Sequence, residues 1–571
     1  MGLGETMTTH FSRLLLAATF LAASGLDVSA IAQTPSRSAP PAASAAPQTP
    51  DVPHTEIFIA MRDGTKLAAN VYLPEGTGPW PVILTRTPYL KDGRMYAAGS
   101  TRFTKAGYAY VVQDVRGKGH SEGFYSAFTN DIEDGYDTVE GLATQPWSNG
   151  KIGITGGSAM GITSNLAAVS NPPHLKAAYV IVAPNETFTT SFLGGVPKDK
   201  DTTDWLRGQK VAESVIDQAL AGSVRSVFTD RAGPGASLKY VHIPMYNVGG
   251  WYDIFNTGNV TNFAYLQNHG ASGAHGNQKL SMGPFGHGPL SGNLAYPGED
   301  GLGGSSAQDL RWFDYWLKGI NNGIMDEPPV DLFMMASAEK GAYSPKNRHI
   351  KAANWPLDYR EMRYYLAPNL ALTAAEPTVA TAKTAYRFDP AHPVPTFGGA
   401  NLTFDRGPMD QRAIKGRSDY LRFQTPVLDK DVVIAGPVSV DLYAATDGPD
   451  TDFEAKLVDV YPDGYEALVL DAPIRARYRN GRMADDIRMM TPGAPEKMTI
   501  DLWNTAITFE KGHRIALHIT SSNSPRFDVN PNTGEAPGKH TMKPRVAENT
   551  IYFDKDHPSA LVLPVVYLDG R

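Results

Sequence analysis

The sequence predicts an α/β domain with a helical insertion, followed by an all-β domain. Three features of the 571 residues carry that prediction. From His54 to about Ile350, short apolar runs alternate with helix-like segments, as a layered α/β fold requires. Between roughly Asn185 and Tyr240 the alternation lapses into a polar, partly helical stretch containing Trp205, Val211, Val215 and Ile216, read as an inserted cap. From about Ala352, turn-forming dipeptides separate alternating strands such as Val438–Leu442 and Arg514–Ile519, which is the patterning of a β-sandwich or jelly roll. A chain of this length exceeds what one hydrophobic core usually supports.

The first segment reads as an address. Arg13 precedes the apolar run Leu14 to Ala23, too short to span a bilayer, and Ala30-Ile31-Ala32 supplies the small residues of a signal-peptidase site. A signal peptide over 1–32, cut before Gln33, is expected, with Met7 as an alternative start; the mature protein is then periplasmic or secreted. Residues 33–53 are rich in Pro, Ala, Ser and Thr and read as a disordered linker. The α/β domain is then expected over 54–350 and the β domain over 351–571. No later run is long enough to span a membrane.

Within the α/β region, Pro81–Thr85 and Tyr108–Gln113 read as buried parallel strands. Asn130 followed by Glu133 resembles a capping box, after which Ile132, Tyr136, Val139 and Ala143 recur at helical spacing. Ile243–Val248 and Gln278–Met282 are two further strands, each ending just before a candidate site residue.

Composition narrows the function. Net charge is −7 with no long basic run, which argues against nucleic acid as a partner. With no cysteine there are no disulfides, thiol nucleophiles or cysteine metal sites, and the scattered histidines form no metal-binding spacing. No metal or cofactor is expected. A small-molecule ester, amide or short peptide remains the expected substrate.

The chemistry is concentrated in three motifs. Ile154-Thr155-Gly156-Gly157-Ser158-Ala159-Met160-Gly161 places a serine among small residues between a strand and a helix, the pattern of a nucleophile elbow. Gly250-Trp251-Tyr252-Asp253 and Gly283-Pro284-Phe285-Gly286-His287 follow, giving the order serine, acid, histidine of an α/β-hydrolase. Ser158 is then the nucleophile, His287 its general base and Asp253 the group that orients the imidazole. Asp134 and Asp137 are rival acids, and His120 and His275 rival bases. Asp114 and Arg116 read as a structural ion pair.

These motifs resemble a known group. Together with Arg86-Thr87-Pro88-Tyr89, Asp114-Val115-Arg116-Gly117-Lys118-Gly119, Gln145-Pro146-Trp147-Ser148 and Asp450-Thr451-Asp452-Phe453, they are similar to the CocE/NonD-type serine hydrolases of the X-Pro dipeptidyl-peptidase (S15) family. That group includes cocaine esterase, α-amino acid ester hydrolases and cephalosporin acylases. The resemblance implies an α/β-hydrolase domain, a helical cap and a C-terminal jelly roll. It also implies that the Tyr89 hydroxyl and the Ala159 backbone N–H form the oxyanion hole.

Relatives that select free α-amino substrates carry an Asp-x-Glu-Asp segment, where this chain has Phe255 and Asn256 in the last two positions. With Trp251, these are the expected pocket residues. A buried ammonium without a carboxylate is penalised, so weak preference for such substrates is expected unless Asp199, Asp201 or Asp204 substitutes. A serine esterase or acylase is therefore the leading reading. An X-Pro dipeptidyl-peptidase, an α-amino acid ester hydrolase or β-lactam acylase, and a non-catalytic glycan-binding protein are the alternatives.

Overall fold

The structure, a computed structural model, describes residues 52–568 apart from 186, 222–236, 299–305, 307, 340 and 538–540. The expected signal peptide and all but the end of the expected linker lie outside the described residues, as does part of the cap. No helix among the described residues is long and apolar enough to cross a membrane.

The first sheet has ten strands: β1 (Thr55–Ala60), β2 (Lys66–Tyr72), β3 (Trp80–Thr87), β4 (Ala109–Asp114), β5 (Ser148–Gly157), β6 (Leu175–Ile181), β7 (Met245–Tyr252), β8 (Lys279–Gly286), β9 (Val330–Met334) and β10 (Arg348–Ala352). Their order is 1-2-4-3-5-6-7-8-9-10. From β4 through β9 neighbours run parallel, while β1, β2 and β10 are antiparallel at the edges. Both faces of the parallel block are covered, which is why its strands read as unbroken apolar runs. Val82 and Leu84 of β3 pack into one core with Val139, Ile154 and Ile162, while Ile83 between them packs into another with Tyr179, Trp312 and Phe313.

Helix α1 (Arg94–Lys105) links β3 to β4, α2 (Asp131–Ala143) precedes β5, and α3 (Ala159–Val169) follows it. The expected capping box is not made. Asn130 sits just before α2 but makes no side-chain cap hydrogen bond, its backbone held at φ −102°, ψ 0° rather than the extended conformation an N-cap usually takes. The cap contributes α4 (Asp199–Gly208) and α5 (Glu213–Ala221). Leu206, Val211 and Ile216 form a small core of their own there, flanked by Trp205 and Val215. Helix α6 (Asn256–His269) lies between β7 and β8.

The C-terminal region folds as an eleven-stranded, almost wholly antiparallel sheet. Its spine is the strand Val432–Thr446, which pairs with Glu496–Phe509, Ala547–Tyr552 and Ala560–Val565. The core of this sheet is continuous with Leu280, Met282 and Phe333 of the first sheet, so the all-β layer buttresses the site side of the hydrolase fold. Strand Asp452–Val460 departs from the expected polar-out alternation: every residue on it is buried, including Glu454, Lys456 and Asp459. Its polar face is sealed by pairing, with Arg475 on Asp452 at 2.8 Å and Arg477 on Asp450 at 2.8 Å. Asn530 bridges both carboxylates.

Candidate functional site

Strand β5 ends at Gly157 and α3 begins at Ala159, so the whole reversal falls on Ser158. Ser158 takes φ +57° and ψ −128°, a conformation strongly disfavoured for a residue with a Cβ. Such strain at a sharp strand-to-helix turn lifts the hydroxyl clear of the sheet. The neighbouring glycines are required by close approach. A Cβ on Gly156 would stand 2.6 Å from the Met160 carbonyl oxygen, and one on Gly161 would stand 2.5 Å from the Ala183 Cβ.

The loops after β7 and β8 bring the other two residues to that hydroxyl. His287 Nε2 lies 2.8 Å from Ser158 Oγ, and His287 Nδ1 lies 2.7 Å from Asp253 Oδ2. Asp253 is wholly buried. Its other oxygen accepts the Phe255 N–H at 2.7 Å, which fixes the carboxylate plane. Phe255 meets the His287 ring edge-on at 5.5 Å between centroids.

The rivals are engaged elsewhere. Arg116 binds Asp134 at 2.6 Å, Arg62 binds Asp137 at 2.8 Å, His120 contacts Glu56 at 2.7 Å, and His275 is exposed. The expected Asp114–Arg116 pair is not formed. Asp114 instead accepts the backbone N–H groups of Lys91 and His120 at 2.7 and 3.1 Å, while Arg116 turns to Asp134 and Asp63. Asp114 closes loops with backbone donors, and burial pushes its carboxyl above the usual range.

Tyr89 follows β3, its N–H held by Thr87 Oγ1 at 2.9 Å. Its hydroxyl accepts the indole N–H of Trp205 at 3.0 Å and interacts with Ser158. Burial raises the phenol above its ordinary pKa, and the contacts with Trp205 and Ser158 offset this in part. Trp205 stacks on Phe128 at 5.6 Å and 11°. Nothing in the local sequence signals this role for Trp205, since a tryptophan in a cap reads first as packing.

A cavity of about 220 Å³ opens at Ser158, bounded by Ala159, Phe128, Trp205, Phe255, Leu402 and Lys198 among others. Of the three expected pocket residues, Phe255 lines it. Trp251 and Asn256 do not. Trp251 donates to the Phe333 carbonyl at 2.7 Å and packs on Trp355 in the shared core, because its β7 position faces the all-β layer. Asn256 is buried and donates to the carbonyls of Trp251 and Asn504, tying the start of α6 to the strand Glu496–Phe509.

The acids considered as ammonium partners are occupied or distant. Asp201 accepts from Leu402 N, Thr403 N and Thr403 Oγ1, all within 3.0 Å. Asp204 pairs with Lys200 at 2.6 Å, and it lines with Asp199 a separate groove away from Ser158. Among the described residues, no group of three His, Cys, Asp or Glu side chains is arranged to hold a metal ion.

Comparison with known proteins agrees with this architecture. Residues 63–223 match the family model of X-Pro dipeptidyl-peptidase (S15 family), and residues 322–562 match that of the X-Pro dipeptidyl-peptidase C-terminal non-catalytic domain. The chain is 29% identical to a cocaine esterase of Rhodococcus sp. (strain MB1 Bresler), over 90% of this chain and 98% of that protein. Its fold is shared with an α-amino acid ester hydrolase (TM-score 0.73, 25% identity, 91% of this chain and 100% of that one). The same holds for an aminopeptidase of a marine-sediment Thaumarchaeota archaeon (TM-score 0.77, 24% identity, 92% and 98%). Both halves of the architecture are thus matched, and the chain belongs to the X-Pro dipeptidyl-peptidase (S15) family of serine hydrolases.

Proposed function

We propose that this hydrolase cleaves carboxylic esters or amides through an acyl-enzyme on Ser158. The observation that carries the reading is the continuous contact chain Ser158 Oγ, His287, Asp253 at 2.8 and 2.7 Å, standing on a strained elbow at the mouth of a cavity. In this reading His287 Nε2 takes the hydroxyl proton as Ser158 Oγ bonds to the substrate carbonyl carbon, and the same proton passes to the leaving group as the C–O or C–N bond breaks. Water then repeats the sequence on the acyl-enzyme. Asp253 keeps the imidazole in the productive tautomer and stabilises its charged form.

Charge developing on the carbonyl oxygen is met by Ala159 N–H at the start of α3 and by the Tyr89 hydroxyl. Because Trp205 donates to the Tyr89 oxygen, the phenolic proton is left to point at the substrate.

An esterase or acylase is favoured over an X-Pro dipeptidyl-peptidase. Among the described residues the cavity offers no uncommitted carboxylate for a substrate ammonium, since Asp201 already holds the 402–403 loop. The reading includes export, based on the N-terminal apolar run and Ala30-Ile31-Ala32. The test is labelling of the purified protein with a fluorophosphonate. Labelling that disappears in Ser158→Ala supports the acyl-enzyme, and undiminished labelling refutes it. A neutral aryl ester hydrolysed faster than an Ala-Pro anilide supports the esterase assignment, and the reverse order overturns it.

A further inference from the structure

Two of the described residues lining the cavity at Ser158 carry a formal charge, Lys198 and Asp201. Their situations are opposite. The Asp201 carboxylate is committed to three donors of the 402–403 loop. Lys198 is 3% exposed, and its Nζ has no hydrogen-bond partner among the described residues. The amine lies over the Trp503 ring, 4.8 Å from its centroid, which supplies a weak cation–π contact and no acceptor.

Leaving a lysine amine buried without an acceptor costs several kcal/mol, and the fold does so at the edge of an otherwise largely apolar cavity beside the nucleophile. The position is not loose. Lys198 N–H donates to the Ser191 carbonyl at 2.8 Å, its own carbonyl accepts from Thr202 in the first turn of α4, and the preceding Pro197 carbonyl accepts from Asp528 N–H. The backbone therefore sets where the side chain starts.

Resting on the acyl-enzyme reading above, we propose that Lys198 is a specificity-determining residue. It would donate its free N–H groups to a carboxylate, or a comparable anionic acceptor, carried by the substrate a few carbons from the scissile carbonyl. Such a ligand satisfies the orphaned donor and returns a counter-charge to the site, which a purely aliphatic substrate does not. Burial, with repulsion from Arg526, lowers the Lys198 pKa to about 7 against the opposing pull of Asp201, Asp471 and Asp253. The amine thus keeps donors available near neutrality whether or not it is charged.

The experiment uses the full chain with three esters: mono-4-nitrophenyl glutarate, neutral 4-nitrophenyl pentanoate, and a pentanoate ester of 4-hydroxybenzoate that carries its carboxylate on the leaving group. Wild type is expected to favour one of the two anionic esters over the neutral one in kcat/KM. Which of them gains tells whether the cavity holds the acyl or the leaving half. A charged hydrogen bond of this kind corresponds to roughly 10- to 100-fold. Lys198→Met should collapse that ratio to near one or invert it, and Lys198→Arg should restore part of it.

Equal or better use of the neutral ester by wild type, with Lys198→Met lowering all three alike, overturns the proposal. Should Lys198→Met fail to fold, inhibition of wild type decides. Free glutarate competing more strongly than neutral glutaramide supports the assignment, and equal competition refutes it. If no ester turns over and fluorophosphonate labelling is absent, the acyl-enzyme reading itself has failed.

Discussion

The indole N–H of Trp205, on cap helix α4, donates to the Tyr89 hydroxyl on the loop after β3, across 3.0 Å. This joins the cap to the proposed oxyanion hole. The bond fixes which lone pair of the phenol is used and so which way its proton points. Tyr89→Phe removes the donor and is expected to lower kcat by about 10²- to 10³-fold with little change in KM. Trp205→Phe keeps the stack on Phe128 but frees the phenol to rotate, and should cost about 3- to 10-fold in kcat. The double variant should be no slower than Tyr89→Phe alone, because both changes act through one hydroxyl. Additive losses in steady-state kinetics would disprove the coupling.

Asp253 is wholly buried and bonded to His287 Nδ1 at 2.7 Å. Asp253→Asn preserves the shape but offers an N–H where the imidazole N–H needs an acceptor, so the ring is driven to the wrong tautomer. A loss of about 10⁴ in kcat is expected at neutral pH. Fluorophosphonate labelling should slow in parallel, and labelling at the wild-type rate would contradict the assignment of Asp253.

The parts of the site that recur as contiguous motifs were legible in the sequence. The Ser158 elbow, Asp253 and His287 each sit at the C-terminal end of a strand, where apolar runs and glycines mark the position. The strands at Pro81–Thr85, Tyr108–Gln113, Ile243–Val248 and Gln278–Met282 were legible as apolar runs, and the cap as the stretch where that pattern lapses, but their order in the sheet was not. What escaped was whatever depends on side-chain direction between distant segments. Trp251 is two residues from Asp253 yet faces the all-β layer, and Asn256 ties α6 to Asn504 rather than touching substrate. Lys198 sits in Lys198-Asp199-Lys200-Asp201, which reads as a solvated charge run, yet Lys198 and Asp201 are buried while Asp199 and Lys200 are exposed. The Asp114–Arg116 pairing failed for the same reason, since proximity in sequence said nothing of Asp134 across the fold.

The Asp450-Thr451-Asp452-Phe453 motif serves the site from a distance. Asp452 pairs with Arg475, and the Arg475 N–H in turn donates to the Gly194 carbonyl at 3.0 Å, in the hairpin that leads to Lys198. Asp452→Asn leaves the buried Arg475 guanidinium short of its main counter-charge. Removing one member of a buried pair typically costs about 3–5 kcal/mol. A clear drop in melting temperature is expected, with KM for the cavity-filling substrate rising more than kcat falls. Wild-type stability in thermal denaturation would refute this.

Gly161 is the tightest constraint in the first turn of α3. An alanine Cβ there would meet the Ala183 Cβ at 2.5 Å, with the Gly156 and Ile181 carbonyl oxygens at 3.0 and 3.1 Å, so helix and strand must separate. Gly161→Ala should cost about 1–3 kcal/mol in denaturant unfolding. It should also displace Ser158 enough to slow fluorophosphonate labelling. Unchanged stability and labelling would show that the close approach is not required.

The buried amine of Lys198 also gives the fold a pH signature of its own. Its pKa falls from 10.5 in the unfolded chain to about 7 in the native state, chiefly through desolvation, with Arg526 adding repulsion and Asp201, Asp471 and Asp253 opposing. Between those values the unfolded chain binds more protons than the native one, so this group's contribution to stability rises with pH across that window. Below pH 7 its full penalty is present, and above 10.5 it vanishes. Lys198→Met removes the titrating group. The variant should therefore be more stable than wild type below pH 7, by on the order of 5 kcal/mol, and the difference should shrink steadily as pH climbs toward 10.5. Urea unfolding of both proteins at several pH values measures this directly, and taking their difference cancels the other titrating groups. A difference independent of pH would mean that Lys198 has an ordinary pKa and an acceptor of its own.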